Sequence, residues 1–134
     1  MSETQYLYLN GTAEFARTNK SDDYGNYSVR IALDDESLEE YKKSGIQVAI
    51  EEGNMVWLRR PHSKIINKEL VYLGPPRVVN DETGEDWNVL IGKGSQITVK
   101  VRAYPTQKGK GHTLDAIGIR KLVPVEGGNG FKPY

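Results

Sequence analysis

The sequence lacks cysteine, and none of its 134 residues belongs to an apolar run close to the ~18 residues of a membrane span. Without cysteine there are no disulfides, no thiol catalysis and no thiolate metal sites. The first residues, MSETQYLYLN, also lack the basic and apolar segments of a secretory signal. We therefore expect an intracellular protein away from the membrane. Its 37% hydrophobic residues are enough for one domain with a core.

Catalytic signatures are missing as well. The sequence contains no P-loop, no G-x-S-x-G elbow and no H-E-x-x-H pair. His62 and His112 are too few for a three-histidine metal site. Paired acids fall in turns, at a helix cap or before glycine, where acids serve structure: Asp22-Asp23, Asp34-Asp35, Glu51-Glu52 and Asp81-Glu82. We expect no enzyme, no cofactor and no metal; a metal-dependent nuclease is the weakest alternative.

Net charge is also absent, but the charges are unevenly distributed. The 18 basic side chains balance 18 acidic ones. Residues 22–52 hold nine acidic and three basic side chains, whereas residues 93–121 hold seven basic and one acidic. Segregated charge can form a local anion-binding surface that the total does not reveal. The alternative is that these charges lie on solvated strand faces and cancel in the fold.

Alternating apolar and polar residues dominate what is present. They predict strands in YLYLNGTAEFA, NYSVRIALD, NMVWLRRPH, SQITVKVRAY and HTLDAIGIRKL. DDESLEEYKKSG predicts one short helix, capped by Asp34 or Asp35 and ended by Gly45. Residues 63–94 are predicted to form an excursion between two of the long strands, with a small hairpin that turns at Thr83-Gly84.

The order of these elements predicts an all-β fold with one short helix. It favours a five-stranded Greek-key barrel of the oligonucleotide-binding (OB) type with an inserted hairpin excursion. A β-sandwich with an added helix is the alternative. The barrel is expected over residues 1–123, followed by a flexible Gly-rich tail over 124–134.

The alternation also assigns side chains to faces. In the first strand Leu7, Leu9, Ala13 and Phe15 are predicted to point one way, with a bulge or sharp coil at Gly11. In the strand that follows Ser95, the inward residues are Ile97, Val99, Val101 and Ala103. The outward residues there are Thr98, Lys100, Arg102 and Tyr104.

Basic and aromatic residues share the predicted outer face. Lys100 and Arg102 stand ~6.6 Å apart along their strand, and a Lys- and Gly-rich loop follows Tyr104. Cations that track phosphates, beside rings on which bases stack, are typical of single-strand binding. The alternative is that the cations are merely solvated while Trp57 and Tyr104 fill the core. The predicted nucleic-acid-binding residues are Arg30, Trp57, Arg59, Lys100, Arg102, Tyr104, Lys108, Lys110 and His112.

Several blocks of the sequence carry a family resemblance. YGNYSVRIALD, the acidic helix, VWLRRP and GKGSQITVKVRAYPTQKGKGHTLDAIGIRKL follow one another between residues 6 and 122. In these blocks the chain resembles the single-stranded DNA-binding proteins of tailed bacteriophages. The resemblance implies an OB fold and sequence-tolerant coating of single-stranded DNA in phage replication and recombination. It also implies the cytoplasm of an infected bacterium, and homodimers or cooperative assembly.

One departure concerns the tail. Such phage proteins typically end in an acidic tail that recruits polymerase, whereas VEGGNGFKPY holds one acid, Glu126, and one base, Lys132. Phage replication proteins as partners are therefore left open. Also open are weaker binding of duplex DNA or RNA, an RNA-binding OB domain, and a structural barrel whose basic patch meets an acidic partner.

Overall fold

The computed structural model describes residues 5–18, 25–87, 89–106 and 109–123. The tail predicted over 124–134 lies outside these residues. The described elements, in chain order, are β1 (Gln5–Arg17), β2 (Asn26–Leu33), α1 (Asp35–Ser44), β3 (Met55–Pro61), β4 (Ser63–Ile66), β5 (Glu69–Tyr72), β6 (Arg77–Asn80), β7 (Gln96–Thr106) and β8 (Gly109–Lys121).

Six strands form one sheet in the order β3-β2-β1-β7-β8-β6. All neighbours in it are antiparallel except β6, which runs parallel to β8. The long strand β1 pairs with β7 through its first half and with β2 through its second half. The five long strands therefore follow the path of an OB barrel, and the predicted fold class is confirmed.

The barrel core consists of the inward residues of these strands. On β7, the residues Ile97, Val99, Val101 and Ala103 are completely buried, as their alternation predicted. They meet Leu9 and Ala13 of β1, Val29 and Ile31 of β2, and Leu114 and Ile117 of β8. Burial of such aliphatic side chains is the main stabilising contribution to a small barrel.

The helix begins and ends where the sequence predicts. The Asp34 side chain accepts a hydrogen bond from the Ser37 N–H, and Gly45 ends the helix in the left-handed conformation. Tyr41 buries its ring in the core, and its hydroxyl donates to the Val48 carbonyl. Burial raises the pKa of Tyr41 to about 12. Among the residues that the structure describes, no helix has the length and apolar character to cross a membrane.

One predicted face is wrong on β1. Phe15 was expected to point inward with Leu9 and Ala13, but it is 44% exposed. The pairing of β1 with β2 shifts register between Ala13 and Phe15. A bulge adds one residue to the alternation and so turns the following side chain to the opposite face. The irregularity thus lies three residues beyond Gly11, the position that the sequence suggested.

The excursion contains more structure than the sequence indicated. The hairpin of β4 and β5 turns at Asn67 and Lys68, both with positive φ, and pairs with no other strand of the described chain. Strand β6 then adds to the outer edge of β8. A tight turn follows at 81–84, where the Gly84 N–H donates to the Asn80 carbonyl, so a turn at Gly84 is present as predicted.

The barrel closes between β3 and β8 through side chains. The structure pairs neither strand with the other in a described backbone ladder. Instead, the Arg59 N–H donates to His112 Nε2 at 3.1 Å. Arg60 donates to the carbonyls of Leu114, Leu73 and Gly74 and pairs with Asp115. We call this contact the β3–β8 seam.

Candidate nucleic-acid interface

Three side chains form an aromatic and basic row on the outer face of β1, β2 and β3. The register places Phe15 opposite Arg30 and Arg30 opposite Trp57. The two rings meet across the arginine at a centroid distance of 5.6 Å, tilted by 56°. The Arg30 guanidinium lies 5.7 Å from the centroid of the Trp57 ring. We call this row the β2–β3 platform.

Trp57 is half-buried on this platform and is not among the core residues. Arg30 is held in place by Glu51, whose Oε1 lies 2.9 Å from Arg30 Nη2 and also accepts from Nε. Arg59 stands exposed on the same face of β3, opposite Ser28. The platform therefore presents two rings, one braced cation and one exposed cation.

A second aromatic and basic group lies on the outer face of β1 and β7. Lys100 stands directly opposite Tyr8, and Arg102 directly opposite Tyr6. Lys100 Nζ lies 4.9 Å from the centroid of the Tyr6 ring. Tyr6 and Tyr8 are 53% and 61% exposed. We call these four residues the β1–β7 face.

Tyr104 sits at the end of this face, where β7 enters the loop. The Arg102 guanidinium lies 5.8 Å from the centroid of its half-buried ring. Its hydroxyl makes long contacts of 3.4 Å with the His112 carbonyl and the Thr113 hydroxyl of β8. Lys108 lies outside the described residues, and only the main chain of Lys110 is described.

His112 occupies the β3–β8 seam instead of an open surface. Its Nε2 accepts the Arg59 N–H, which requires this nitrogen to be unprotonated. Burial, reinforced by the nearby Arg59 charge, lowers the pKa of His112 to about 4. The imidazole is therefore neutral near pH 7 and joins two strands. Direct contact of His112 with nucleic acid stays a prediction.

Three exposed rings were missing from the predicted site. Tyr6 and Tyr8 alternate on the outer face of β1, and that alternation could have identified them as neighbours of a basic strand. Their register against Lys100 and Arg102 had no local signal. Phe15 could not have been found, because only the bulge places it beside Trp57.

The described residues contain no candidate metal centre. No group of three or more His, Asp or Glu side chains in 5–18, 25–87, 89–106 or 109–123 could hold a metal ion. What the two surfaces offer instead is rings for stacking and cations for phosphates.

The strand topology identifies the fold of the chain. A five-stranded Greek-key barrel of this topology has the OB fold. No protein-family model matches the sequence, and no curated protein matches it.

Solved structures match the fold. The single-stranded DNA-binding protein gp2.5 encoded by bacteriophage T7 superposes with a TM-score of 0.60 at 19% identity, covering 100% of this chain and 98% of that one. The single-stranded DNA-binding protein of bacteriophage Enc34 gives a TM-score of 0.60 at 15% identity, covering 92% and 84%. Its C-terminally truncated form gives 0.58 at 14%. The resemblance to phage single-stranded DNA-binding proteins is thus confirmed as a likeness of fold.

Proposed function

We propose that this protein binds single-stranded DNA without sequence preference and acts as a non-enzymatic coat. The observation that carries the proposal is the β2–β3 platform, where the exposed Phe15 ring and the half-buried Trp57 ring pair beside Arg30. OB barrels bind oligonucleotides on this face. Because every base has a π-face, stacking on such rings tolerates any sequence.

Cations near the rings supply the second requirement, which is phosphate binding. Arg59 is exposed on the platform, and Lys100 and Arg102 line the outer face of β7. Lys108, between β7 and β8, and Lys110, at the start of β8, are proposed to add counter-charge, and His112 follows two residues later on β8. A strand held in this way would be bound through backbone charge and base stacking, not through base edges.

The proteins of similar fold suggest the biological setting. The phage proteins gp2.5 and the Enc34 protein are described as single-stranded DNA-binding proteins. By analogy of fold we assign this chain to the coating and protection of single-stranded DNA in phage replication and recombination, in the cytoplasm of the infected bacterium. Dimerisation, cooperative assembly and contacts with replication proteins belong to the same proposal.

The test is fluorescence anisotropy with labelled poly-dT, mixed-sequence single strands, matching RNA and duplex DNA. We expect similar affinity for both single-stranded DNAs and weaker binding of RNA and duplex. Trp57→Ala should weaken single-strand binding roughly 5- to 150-fold, since stacking contributes about 1–3 kcal/mol per base. Tyr72→Ala is the matched control, because this tyrosine is 68% exposed on the separate β5 hairpin.

Other outcomes would replace the proposal. RNA binding equal to or stronger than DNA binding would identify an RNA-binding OB domain. No binding at low salt would leave a structural barrel whose basic face meets an acidic protein. Cleavage of the DNA on addition of a divalent metal would identify a nuclease.

A further inference from the structure

The β1–β7 face has the components of a strand-binding surface at a distance from the β2–β3 platform. Tyr6 and Tyr8 place two largely exposed rings on one strand, and Lys100 and Arg102 stand directly across from them on the next. Paired residues on antiparallel strands point to the same side of a sheet. Two rings and two cations therefore project together from the outer surface of the barrel.

Lys100 and Arg102 differ in their contacts from three arginines elsewhere in the described chain. Arg30, Arg60 and Arg77 each form an ion pair with a carboxylate, at 2.9, 3.3 and 2.7 Å. Within the described part of the chain, Lys100 and Arg102 form no such pair and lie against tyrosine rings instead.

Of the two cations, Arg102 gives the stronger indication of an anionic ligand. Its Nε atom is buried and has no hydrogen-bond partner among the described residues. The half-buried side chain as a whole has no carboxylate partner among the described residues, so its charge is available to an anionic ligand through charge-assisted hydrogen bonds. A phosphate backbone is such a ligand, so the charge on this face is complementary to nucleic acid.

The β3–β8 seam connects this face with the platform. Around the barrel from Arg59, the next strand is β8, held by His112, and β7 with Arg102 follows. On this side of the barrel, β8 is the strand that lies between β3 and β7. Opposite Tyr104 and Arg102, β8 carries Gly111 and Thr113, and Thr113 is completely buried, with its hydroxyl 3.4 Å from that of Tyr104. His112, Thr113 and Tyr104 therefore line the seam between the two surfaces at this level.

We propose that the β1–β7 face is a second contact surface for single-stranded DNA. A strand bound on the β2–β3 platform crosses the seam and stacks further bases on Tyr6 and Tyr8, while Lys100 and Arg102 bind its phosphates. This inference rests on the single-strand binding proposed above. It extends that proposal because it assigns Tyr6 and Tyr8 to base stacking and gives the bound strand a path across the β3–β8 seam.

A length series of labelled oligo-dT, from about 4 to 16 nucleotides, tests the proposal within the range of OB site sizes. Wild-type affinity should rise with length until both surfaces are filled. The double variant Tyr6→Ala/Tyr8→Ala should bind the shortest oligomers as the wild type does and the longest at least tenfold more weakly. Trp57→Ala should weaken binding at every length.

Two further variants separate stacking from folding. Tyr6→Phe/Tyr8→Phe keeps both rings and should bind every length as the wild type does. Tyr6→Leu/Tyr8→Leu keeps apolar bulk without a ring and should lose the affinity for long oligomers. Tyr72→Ala again serves as the control for an exposed tyrosine elsewhere. Ultraviolet cross-linking of oligo-dT, with the peptides mapped by mass spectrometry, should mark Tyr6 or Tyr8 only with the longer oligomers.

The outcomes distinguish this inference from the proposed function. If the wild type binds oligo-dT and the Ala and Leu double variants bind the longest oligomers equally well, the second surface is refuted while single-strand binding stands. If the wild type binds no oligo-dT at low salt, the proposed function fails first and the inference with it.

Discussion

At the residue scale, the His112 side chain joins β8 to β3, two strands that no described backbone ladder connects. Its neutral Nε2 accepts the Arg59 N–H across the β3–β8 seam. Arg60 strengthens the same seam with bonds to the Leu114 carbonyl and to Asp115. One of the hydrogen bonds that close the barrel therefore depends on the protonation state of the His112 ring.

This dependence predicts a loss of stability in mild acid. The pKa of His112 is about 4 in the folded protein and 6.5 when unfolded, so between these values the unfolded chain binds the extra proton. The contribution is complete above about pH 6.5 and is lost as the pH falls towards 4. From the size of the shift it amounts to about 3 kcal/mol at most.

The measurement is urea unfolding of the wild type and of His112→Gln at pH 7, 6 and 5. The variant side chain does not titrate, so the difference in unfolding free energy between the two proteins should shrink as the pH falls. Parallel pH dependences would mean that His112 does not carry the effect.

At the element scale, β1 is the strand that connects the two parts of the sheet, because it pairs first with β7 and then with β2. Gly11 lies where β1 leaves β7 and joins β2, opposite both Ile97 and Leu33. A Cβ atom built on Gly11 would lie 2.2 Å from the Ala32 carbonyl oxygen and 2.9 Å from Ile31 Cγ1. Glycine is required here because two strand backbones approach closely.

Gly11→Ala should therefore destabilise the protein by about 2–3 kcal/mol, since the added methyl group can be accommodated only by moving β2. Equilibrium unfolding in urea measures this effect. Thr12→Ala, on the outer face one residue further on, is the control because it adds no atoms. Equal stability of Gly11→Ala and the wild type would show that β1 and β2 can separate without cost.

At the scale of the whole molecule, zero net charge conceals an uneven surface. Several cations are neutralised by partners distant in sequence, such as Arg30 by Glu51 and Lys93 by Glu14. Lys100 and Arg102 of β7 have no carboxylate partner among the described residues, so their charge remains available to a ligand. Local field, not total charge, governs attraction of a polyanion.

Binding should accordingly weaken linearly in the logarithm of salt concentration. Lys100→Ala/Arg102→Ala should weaken single-strand binding and reduce the salt slope by about 1–1.5, at roughly 0.7 per released contact. Anisotropy titrations over a salt series measure both quantities. Lys42→Ala, on the exposed last turn of α1, is the control and should leave the slope unchanged. The same slope for the β7 variant would exclude these cations from the interface.

The sequence by itself determined those features that depend on neighbours along the chain. Period-two alternation distinguishes the buried from the outer residues of β7, because successive side chains of a strand point to opposite faces. Asp34 and Gly45 mark the ends of α1, because capping is a contact within one turn. These local rules placed Lys100 and Arg102 outside and favoured the OB barrel, while a β-sandwich with an added helix stayed open.

Only the tertiary structure decided which distant residues meet. The bulge that exposes Phe15 comes from the pairing of β1 with β2, and the register opposite Tyr6 and Tyr8 comes from the pairing with β7. The role of His112 in the seam depends on β3, whose Arg59 is 53 residues away in sequence. Register and closure are set by packing the whole core at once, and no stretch of sequence contains that information locally.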